Sequence, residues 1–191
     1  MNNIPVIAMT AGDPCGVGPE VVLKALAARP AFSRIRLIVI GDLAVFEKAA
    51  RRLRQRLPSW TVLRASSPLT EPARPLTFLD CGHPHAFRPG RPSTAAAGAA
   101  SLAYLDHAIA LWRAGRVQAL VTAPVTKWAI GLVKPSFVGQ TEYLAQAMGR
   151  RDVVMMFVSD RLRVALLTRH IPLSRVPRAI SRRLLATTLR L

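Results

Sequence analysis

The second half of the sequence places chemically versatile side chains at the ends of apolar runs or beside a glycine. An ammonium group binds anions, and a neighbouring amide and hydroxyl supply neutral donors and acceptors. An imidazole binds divalent metals or moves protons. These types and positions favour a site for a small polar ligand, and its candidate residues are Lys127, Gln140, Thr141 and His170.

The segment "VTAPVTKWAI" ends an apolar strand and starts a helix, with Lys127 in the first helical turn. A positive charge in the first turn of a helix interacts unfavourably with the helix dipole, so helix stability does not explain a lysine at this position. Phosphate binding supplies an explanation, because helix amides and an ammonium group can act together on an anion. A solvated surface lysine remains the alternative interpretation.

In "FVGQTEYLA", Gly139 gives the backbone freedom to turn before a helix predicted over residues 141–148. Thr141 is a good N-cap and Glu142 suits the first turn, so capping alone can explain the threonine. Capping does not explain the polar Gln140 at a glycine turn. We therefore keep Gln140 and Thr141 as candidate ligand-binding residues.

His170 follows the apolar run Val164–Leu167, which predicts a buried strand that carries the histidine at its end. From spacing alone, His170 is either a hydrogen-bonded structural histidine or a metal ligand. No second histidine or carboxylate lies at helical or tight-turn spacing from it. Two other histidines, His83 and His85, lie in a proline-rich loop whose composition argues against chelation, and His107 lies on a predicted helix.

Apolar strands that alternate with helical periodicity predict a three-layer α/β/α fold with a mostly parallel sheet. The predicted strands are 5–10, 35–42, 61–65, 76–80, 117–123, 153–158 and 162–168, and the predicted helices are 19–29, 43–57, 94–114, 141–148 and a last one from 181.

The glycine-rich segment "TAGDPCGVGPE" after the first strand invites comparison with a dinucleotide-binding loop. The comparison fails because the third glycine of that fingerprint would stand where the chain has Val21, and Glu20 would repel a pyrophosphate. We expect a tight structural turn that borders a cleft. Asp42 ends the second strand, where a ribose-binding acid would sit, but many α/β proteins place an acid there.

Composition narrows the classes of function. The 191 residues are 51% hydrophobic, which supports a real core and excludes global disorder. The formal charge of +17 makes a nucleic-acid-binding domain the alternative from another class, although the basic residues are scattered arginines and form no tract. Two cysteines provide neither a disulfide framework nor a cysteine zinc site. Without a signal-like N-terminus or a long apolar run, we expect a cytoplasmic protein.

Taken in order, "TAGDPCGVGPE", "VTAPVTKWAI", "FVGQTEYLA" and "VVMMFVSDRLRVALLTRHIPLSRVP" resemble the 4-hydroxythreonine-4-phosphate dehydrogenase family of vitamin B6 biosynthesis. The resemblance implies a two-lobed fold related to isocitrate and isopropylmalate dehydrogenases, with a first lobe over residues 1–125 and the start of a second, cleft-forming lobe over 126–191. It also implies a homodimer that uses NAD or NADP and a divalent metal such as zinc, cobalt or magnesium. The implied reaction oxidises and decarboxylates a small phosphorylated hydroxy-amino acid, 4-phosphooxy-L-threonine.

By this resemblance His170 matches a metal-binding histidine, Thr141 a substrate-binding threonine and Lys127 a strand-end lysine that we assign as catalytic. Gln140 stands where the family has a histidine in a Gly-His-Thr-Glu motif, and a glutamine cannot titrate near neutral pH. A paralogue that acts on another hydroxy acid, or an inactive remnant, therefore stays open. Family chains are longer, so we expect the C-terminal part of the fold, the other metal ligands and most cofactor contacts to lie outside these residues.

Overall fold

The computed structural model describes residues 4–28, 34–66, 75–83 and 87–191. The chain forms two compact units, Met1–Gln140 and Thr141–Leu191. The predicted boundary between two lobes, after residue 125, refers to the fold implied by the family resemblance. It is a different division from these two units and stays a prediction.

The first unit is built on a five-stranded sheet with the order β3-β4-β2-β1-β5. All its strand pairs are parallel, and in the centre Ile7 lies opposite Leu37 on one side and Ala119 on the other. This arrangement confirms the predicted parallel sheet. The strands are β1 (Val6–Thr10), β2 (Arg36–Gly41), β3 (Thr61–Arg64), β4 (Leu76–Asp80) and β5 (Ala119–Thr122).

Helices cover the sheet as predicted, and their bounds are α1 (Gly18–Ala27), α2 (Leu43–Leu53), α3 (Ala95–Arg113) and α4 (Lys127–Val133). α1 packs beside α2, and α3 packs against α4 and the central strands. Right-handed crossovers that run in opposite directions along the sheet put these pairs on opposite faces. Among the described residues, no helix has both the length and the apolarity to cross a bilayer.

Helix α2 ends earlier than the predicted residue 57, because Arg54 adopts a left-handed conformation with φ 53° at its C-cap. An aromatic cluster then holds the following segment on the sheet. The ring of Phe78 lies 5.1 Å from Phe46 and 4.6 Å from Trp60, measured between centroids. Such pairs each contribute about 0.5–1.5 kcal/mol beyond the burial of their area.

The contact between α3 and α4 depends on a glycine. A Cβ atom at Gly98 would lie 2.1 Å from the carbonyl oxygen of Ala129, so only glycine lets the two backbones approach this closely. The start of α3 is capped by Thr94, whose Oγ1 accepts a hydrogen bond from the Ala97 amide at 3.2 Å. This packing places the first residue of α4 at the end of β5.

The second unit contains most of α5 (Gln140–Ala147), two antiparallel strands, β6 (Met155–Val158) and β7 (Arg163–Leu166), and the helices α6 (Val176–Ala179) and α7 (Arg182–Arg190). The expectation of a buried strand before His170 is wrong, because the first three residues of β7 are exposed. Only residues 159–162 link β6 to β7. A parallel crossover needs a dozen or more residues, so the strands pair as a two-stranded ribbon.

Candidate functional site

The loop between β1 and α1 packs directly on the connection between β5 and α4. A Cβ atom at Gly12, where φ is +71°, would lie 2.2 Å from the carbonyl oxygen of Pro124. The amide of Asp13 donates to that same oxygen at 2.9 Å. A Cβ atom at Gly18 would lie 2.1 Å from the carbonyl oxygen of Ala11. The glycines therefore serve contact within the protein, as expected for a tight turn, and do not fit a dinucleotide cradle.

Asp13 brings a buried carboxylate to this loop. Its side chain is only 2% exposed in the described structure, and its Oδ1 accepts a hydrogen bond from the Cys15 amide at 2.8 Å. Among the described residues, neither its Oδ2 nor the Oγ1 of the buried Thr10 has a hydrogen-bond partner. Buried polar atoms without a partner are rare and often mark functional positions.

Gln140 is attached to the end of β5 by both halves of its amide. Its Nε2 donates to the carbonyl oxygen of Ala123 at 3.1 Å, and its Oε1 accepts from the Thr122 hydroxyl at 3.4 Å. One amide hydrogen and one lone pair remain for a ligand. Gln140, the last residue of the first unit, is therefore tied to the end of β5, which accounts for a polar residue at the glycine turn.

Lys127 is the first residue of α4, as predicted, and its side chain is exposed. Lys127 and Gln140 both belong to the segments that meet at the carboxyl end of β5. Strands β1 and β5 are neighbours in the sheet, and the helices that follow them, α1 and α4, lie on opposite faces, since α1 packs beside α2 and α4 packs on α3. In parallel α/β sheets, ligands bind in the crevice at such a point.

In the second unit, Thr141 is the second residue of α5, because the helix begins one residue earlier than predicted. Thr141 therefore lies within the first turn and does not precede it as an N-cap. The next residue, Glu142, forms an ion pair with Arg169, with 4.0 Å between Oε1 and Nη1. This long ion pair shows that the residue before His170 lies near the first turn of α5.

His170 is exposed, and its φ of 51° lies in the left-handed region. This conformation costs a non-glycine residue about 1–3 kcal/mol and is concentrated at functional sites. Within the described ranges, however, no group of three or more histidine, cysteine, aspartate or glutamate side chains could hold a metal ion. A single imidazole does not make a metal site, so these residues alone do not fit the implied metal.

A buried network joins Asp42, His83 and Tyr104. The Tyr104 hydroxyl donates to Asp42 Oδ2 at 2.5 Å, and the imidazole Nδ1 of His83 lies 3.0 Å from Asp42 Oδ1. Burial and the Asp42 carboxylate raise the pKa of Tyr104 far above its usual value. The Asp42 carboxylate is therefore engaged in hydrogen bonds within the protein, and it is not a free ribose-binding acid.

Sequence reasoning missed this network, because its members lie 41 and 62 positions from Asp42 and no spacing rule connects them. The structure shows His83 bonded to Asp42, so the imidazole has a use other than chelation. Its sequence neighbour His85 lies outside the described residues.

The parallel sheet covered by helices defines the molecule as an α/β protein, and its polar side chains lie at the carboxyl ends of adjacent strands, where proteins of this fold class bind their ligands. Residues 33–191 match the family model described as pyridoxal phosphate biosynthetic protein PdxA. The chain belongs to this PdxA family, which confirms the resemblance seen in the sequence.

Curated relatives and solved structures agree with this assignment. The chain is 42% identical to the 4-hydroxythreonine-4-phosphate dehydrogenase of Aromatoleum aromaticum, and the match covers 100% of this chain and 56% of that protein. The crystal structure of a 4-hydroxythreonine-4-phosphate dehydrogenase from Burkholderia phymatum matches with a TM-score of 0.82 at 33% identity, over 99% of this chain and 57% of that one.

A terephthalate 1,2-cis-dihydrodioldehydrogenase from Burkholderia xenovorans also matches, with a TM-score of 0.64 at 27% identity over 97% of this chain and 55% of that one. The chain spans about half the length of the curated relatives it matches.

Proposed function

We propose that the protein acts in vitamin B6 biosynthesis as an NAD- or NADP-dependent dehydrogenase that oxidises and decarboxylates 4-phosphooxy-L-threonine. The observation that carries the proposal is the point between β1 and β5 where Lys127 and Gln140 meet the carboxyl edge of a family-typical sheet. A cytoplasmic homodimer belongs to the same proposal and follows from the family resemblance.

We assign Lys127 the catalytic role. Its exposed ammonium group can donate a hydrogen bond to the substrate hydroxyl oxygen and stabilise negative charge there as the hydroxyl proton passes to a solvent water molecule. A bound nicotinamide cofactor would supply the hydride acceptor. Lys127 would then hold the resulting carbonyl oxygen in place for the loss of the neighbouring carboxylate.

Gln140 and Thr141 are proposed to bind and orient the substrate. The two hydrogen bonds of Gln140 to the end of β5 leave its amide rigid, so its remaining donor and acceptor point in fixed directions. Thr141 adds a hydroxyl in the first turn of α5. Rigid, neutral groups of this kind determine orientation and do not change charge with pH.

His170 is proposed as one ligand of a divalent metal. Its exposure and its left-handed backbone support a functional role. The described residues do not supply the remaining ligands, and the assignment therefore concerns His170 alone. Borderline metals such as zinc or cobalt suit an imidazole ligand better than magnesium does.

The test is NAD+ or NADP+ reduction with 4-phosphooxy-L-threonine and each candidate metal, followed at 340 nm on the chain extended to the length of its relatives, because the other metal ligands and most cofactor contacts are expected outside these residues. We expect Lys127→Ala to lower kcat at least a hundredfold, while Lys24→Ala, at an exposed position on α1, leaves it unchanged. His170→Asn removes the imidazole but keeps a residue that tolerates left-handed φ. Metal content should fall in that variant. Absence of turnover with every metal and cofactor would refute the proposed function for this chain.

A second candidate substrate is a hydroxylated acid without a phosphate. The neutral Gln140 and the match to a dihydrodiol dehydrogenase structure both favour it. Parallel assays with 4-phosphooxy-L-threonine and a carboxylated cis-dihydrodiol separate the two candidates. The substrate with the higher kcat/KM by at least tenfold identifies the class.

A further inference from the structure

A second concave surface lies at the same edge of the sheet as the proposed active site. This cavity of about 420 Å³ is lined by Arg64, Ala65, Ser66, Asp80, Cys81 and Gly82. It sits at the carboxyl ends of β3 and β4, whereas the proposed active site is at β5, with β2 and β1 in between. Three strand spacings separate β4 from β5, or about 14 Å, so the two sites are distinct.

The register of the sheet brings the two charged residues of the cavity together. Arg64 and Asp80 are the last residues of β3 and β4 and are register partners. The Ala65 amide donates to the carbonyl oxygen of Asp80 at 2.8 Å, so the two strands end at the same level. Register partners on adjacent strands place their side chains on the same face of the sheet.

The Asp80 carboxylate is fixed but not saturated. Its Oδ1 accepts from the Leu43 amide at 3.0 Å and from the Gly82 amide at 3.3 Å. Among the described residues, no donor reaches its Oδ2, and the Arg64 guanidinium has neither a hydrogen bond nor an ion pair. One acceptor and a complete guanidinium are therefore available to a ligand.

The rest of the lining restricts the ligand class. Ser66 adds a hydroxyl, and among the described residues a Cβ atom at Gly82 would meet no atom within 4 Å. Burial, with the nearby carboxylates of Asp42 and Asp80, raises the pKa of Cys81 to about 12, so the thiol adds no charge near neutral pH. The six described lining residues include no aromatic side chain, and a nucleobase therefore finds no stacking surface.

We propose that this cavity, the Arg64–Asp80 pocket, binds a phosphorylated polyol of the size of a sugar monophosphate. The Arg64 guanidinium binds the phosphate, because its planar set of N–H donors can form two parallel hydrogen bonds to phosphate oxygens. The carboxylate accepts hydrogen bonds from the hydroxyls and repels an anion that has none. The volume lies in the range typical of small-molecule pockets, about 300–1,000 Å³.

The test is calorimetric titration of the purified chain with ribose 5-phosphate, inorganic phosphate and ribose as matched probes. The wild type should bind ribose 5-phosphate at least tenfold tighter than either part alone. Arg64→Ala should weaken that binding at least tenfold, while Arg116→Ala, an exposed arginine beyond the end of α3, should leave it unchanged.

Asp80→Asn keeps the Oδ1 acceptor but removes the charge, so it separates ligand binding from folding. It should weaken ribose 5-phosphate binding at least threefold and strengthen the binding of inorganic phosphate. Three results would each overturn the proposal: no preference of the wild type for ribose 5-phosphate, equal binding by Arg64→Ala and Arg116→Ala, or a shift of both probes in one direction by Asp80→Asn.

Discussion

Replacing Tyr104 by phenylalanine removes one hydroxyl from the buried network and leaves the ring in place. The Tyr104 side chain is fully buried, and its hydroxyl donates to the Asp42 carboxylate at 2.5 Å. A hydrogen bond to a charged group contributes about 1.5–3 kcal/mol, and its loss leaves a buried carboxylate oxygen short of a donor. We expect Tyr104→Phe to lower the free energy of unfolding by about 2–3 kcal/mol.

Urea unfolding followed by tryptophan fluorescence measures this loss. All three tryptophans, Trp60, Trp112 and Trp128, belong to the first unit, so the signal reports on the unit that holds the network. With a slope near 2 kcal/mol per M urea, the midpoint should fall by about 1 M while the slope stays unchanged.

A control and a double-mutant cycle decide whether the charged acceptor is the cause. Ser101→Ala, on the same helix, removes a buried hydroxyl that donates to a neutral carbonyl, that of Ala97, at 2.8 Å. It should cost no more than about 1 kcal/mol. Combining Tyr104→Phe with Asp42→Ala should show a coupling of about 2 kcal/mol. A loss for Tyr104→Phe no larger than for Ser101→Ala, or a coupling near zero, would refute the reasoning.

Two further predictions concern packing and ionisation. Gly98→Ala should cost at least about 2 kcal/mol, because its Cβ would meet the Ala129 carbonyl. Gly131→Ala, where the added Cβ meets no atom of the described residues within 4 Å, should instead stabilise α4 by about 0.5–1 kcal/mol. Equal effects of the two substitutions in thermal unfolding would contradict the close approach of α3 and α4. Burial is the main cause that raises the pKa of Cys81 from 9.0 to about 12, and the negative charges of Asp42 and Asp80 add to it. Above pH 9 the thiol therefore ionises in the unfolded protein but not in the folded one. Stability should therefore fall between pH 9 and 12 with a contribution of up to about 1.4 kcal/mol per pH unit that Cys81→Ala removes, and an unchanged pH profile in that variant would show the thiol to be accessible.

Much of the fold follows from local patterns. The central strands are apolar throughout, which predicted a parallel sheet covered on both faces, and the observed strands match within a few residues. The same rule, that an apolar run predicts a buried strand, failed for β7. An apolar run shows that a strand is hydrophobic, but it does not show which element covers that strand. The short link over residues 159–162 held the missing information, since it allows only an antiparallel pairing.

Less of the candidate site than of the fold could be predicted from the sequence. Lys127 and Gln140 could be placed at a strand end, because each stands beside a local break in the pattern. The attachment of Gln140 to Thr122 and the bond between Asp42 and Tyr104 could not, since they depend on how strands and helices are ordered in space. The roles assigned to Lys127, Gln140, Thr141 and His170 stay predictions.

The position of β1 has a consequence for how the chain is made. β1 pairs on one side with β2, which is close in sequence, and on the other with β5; the Val6 amide donates to the Gln118 side chain across 112 residues. At about 5–20 residues per second on the ribosome, that second partner is synthesised about 6–22 s later. During this interval one edge of the first strand is open to other nascent chains. Chaperone binding to ribosome-bound intermediates should therefore be strongest before β5 emerges and should end soon afterwards.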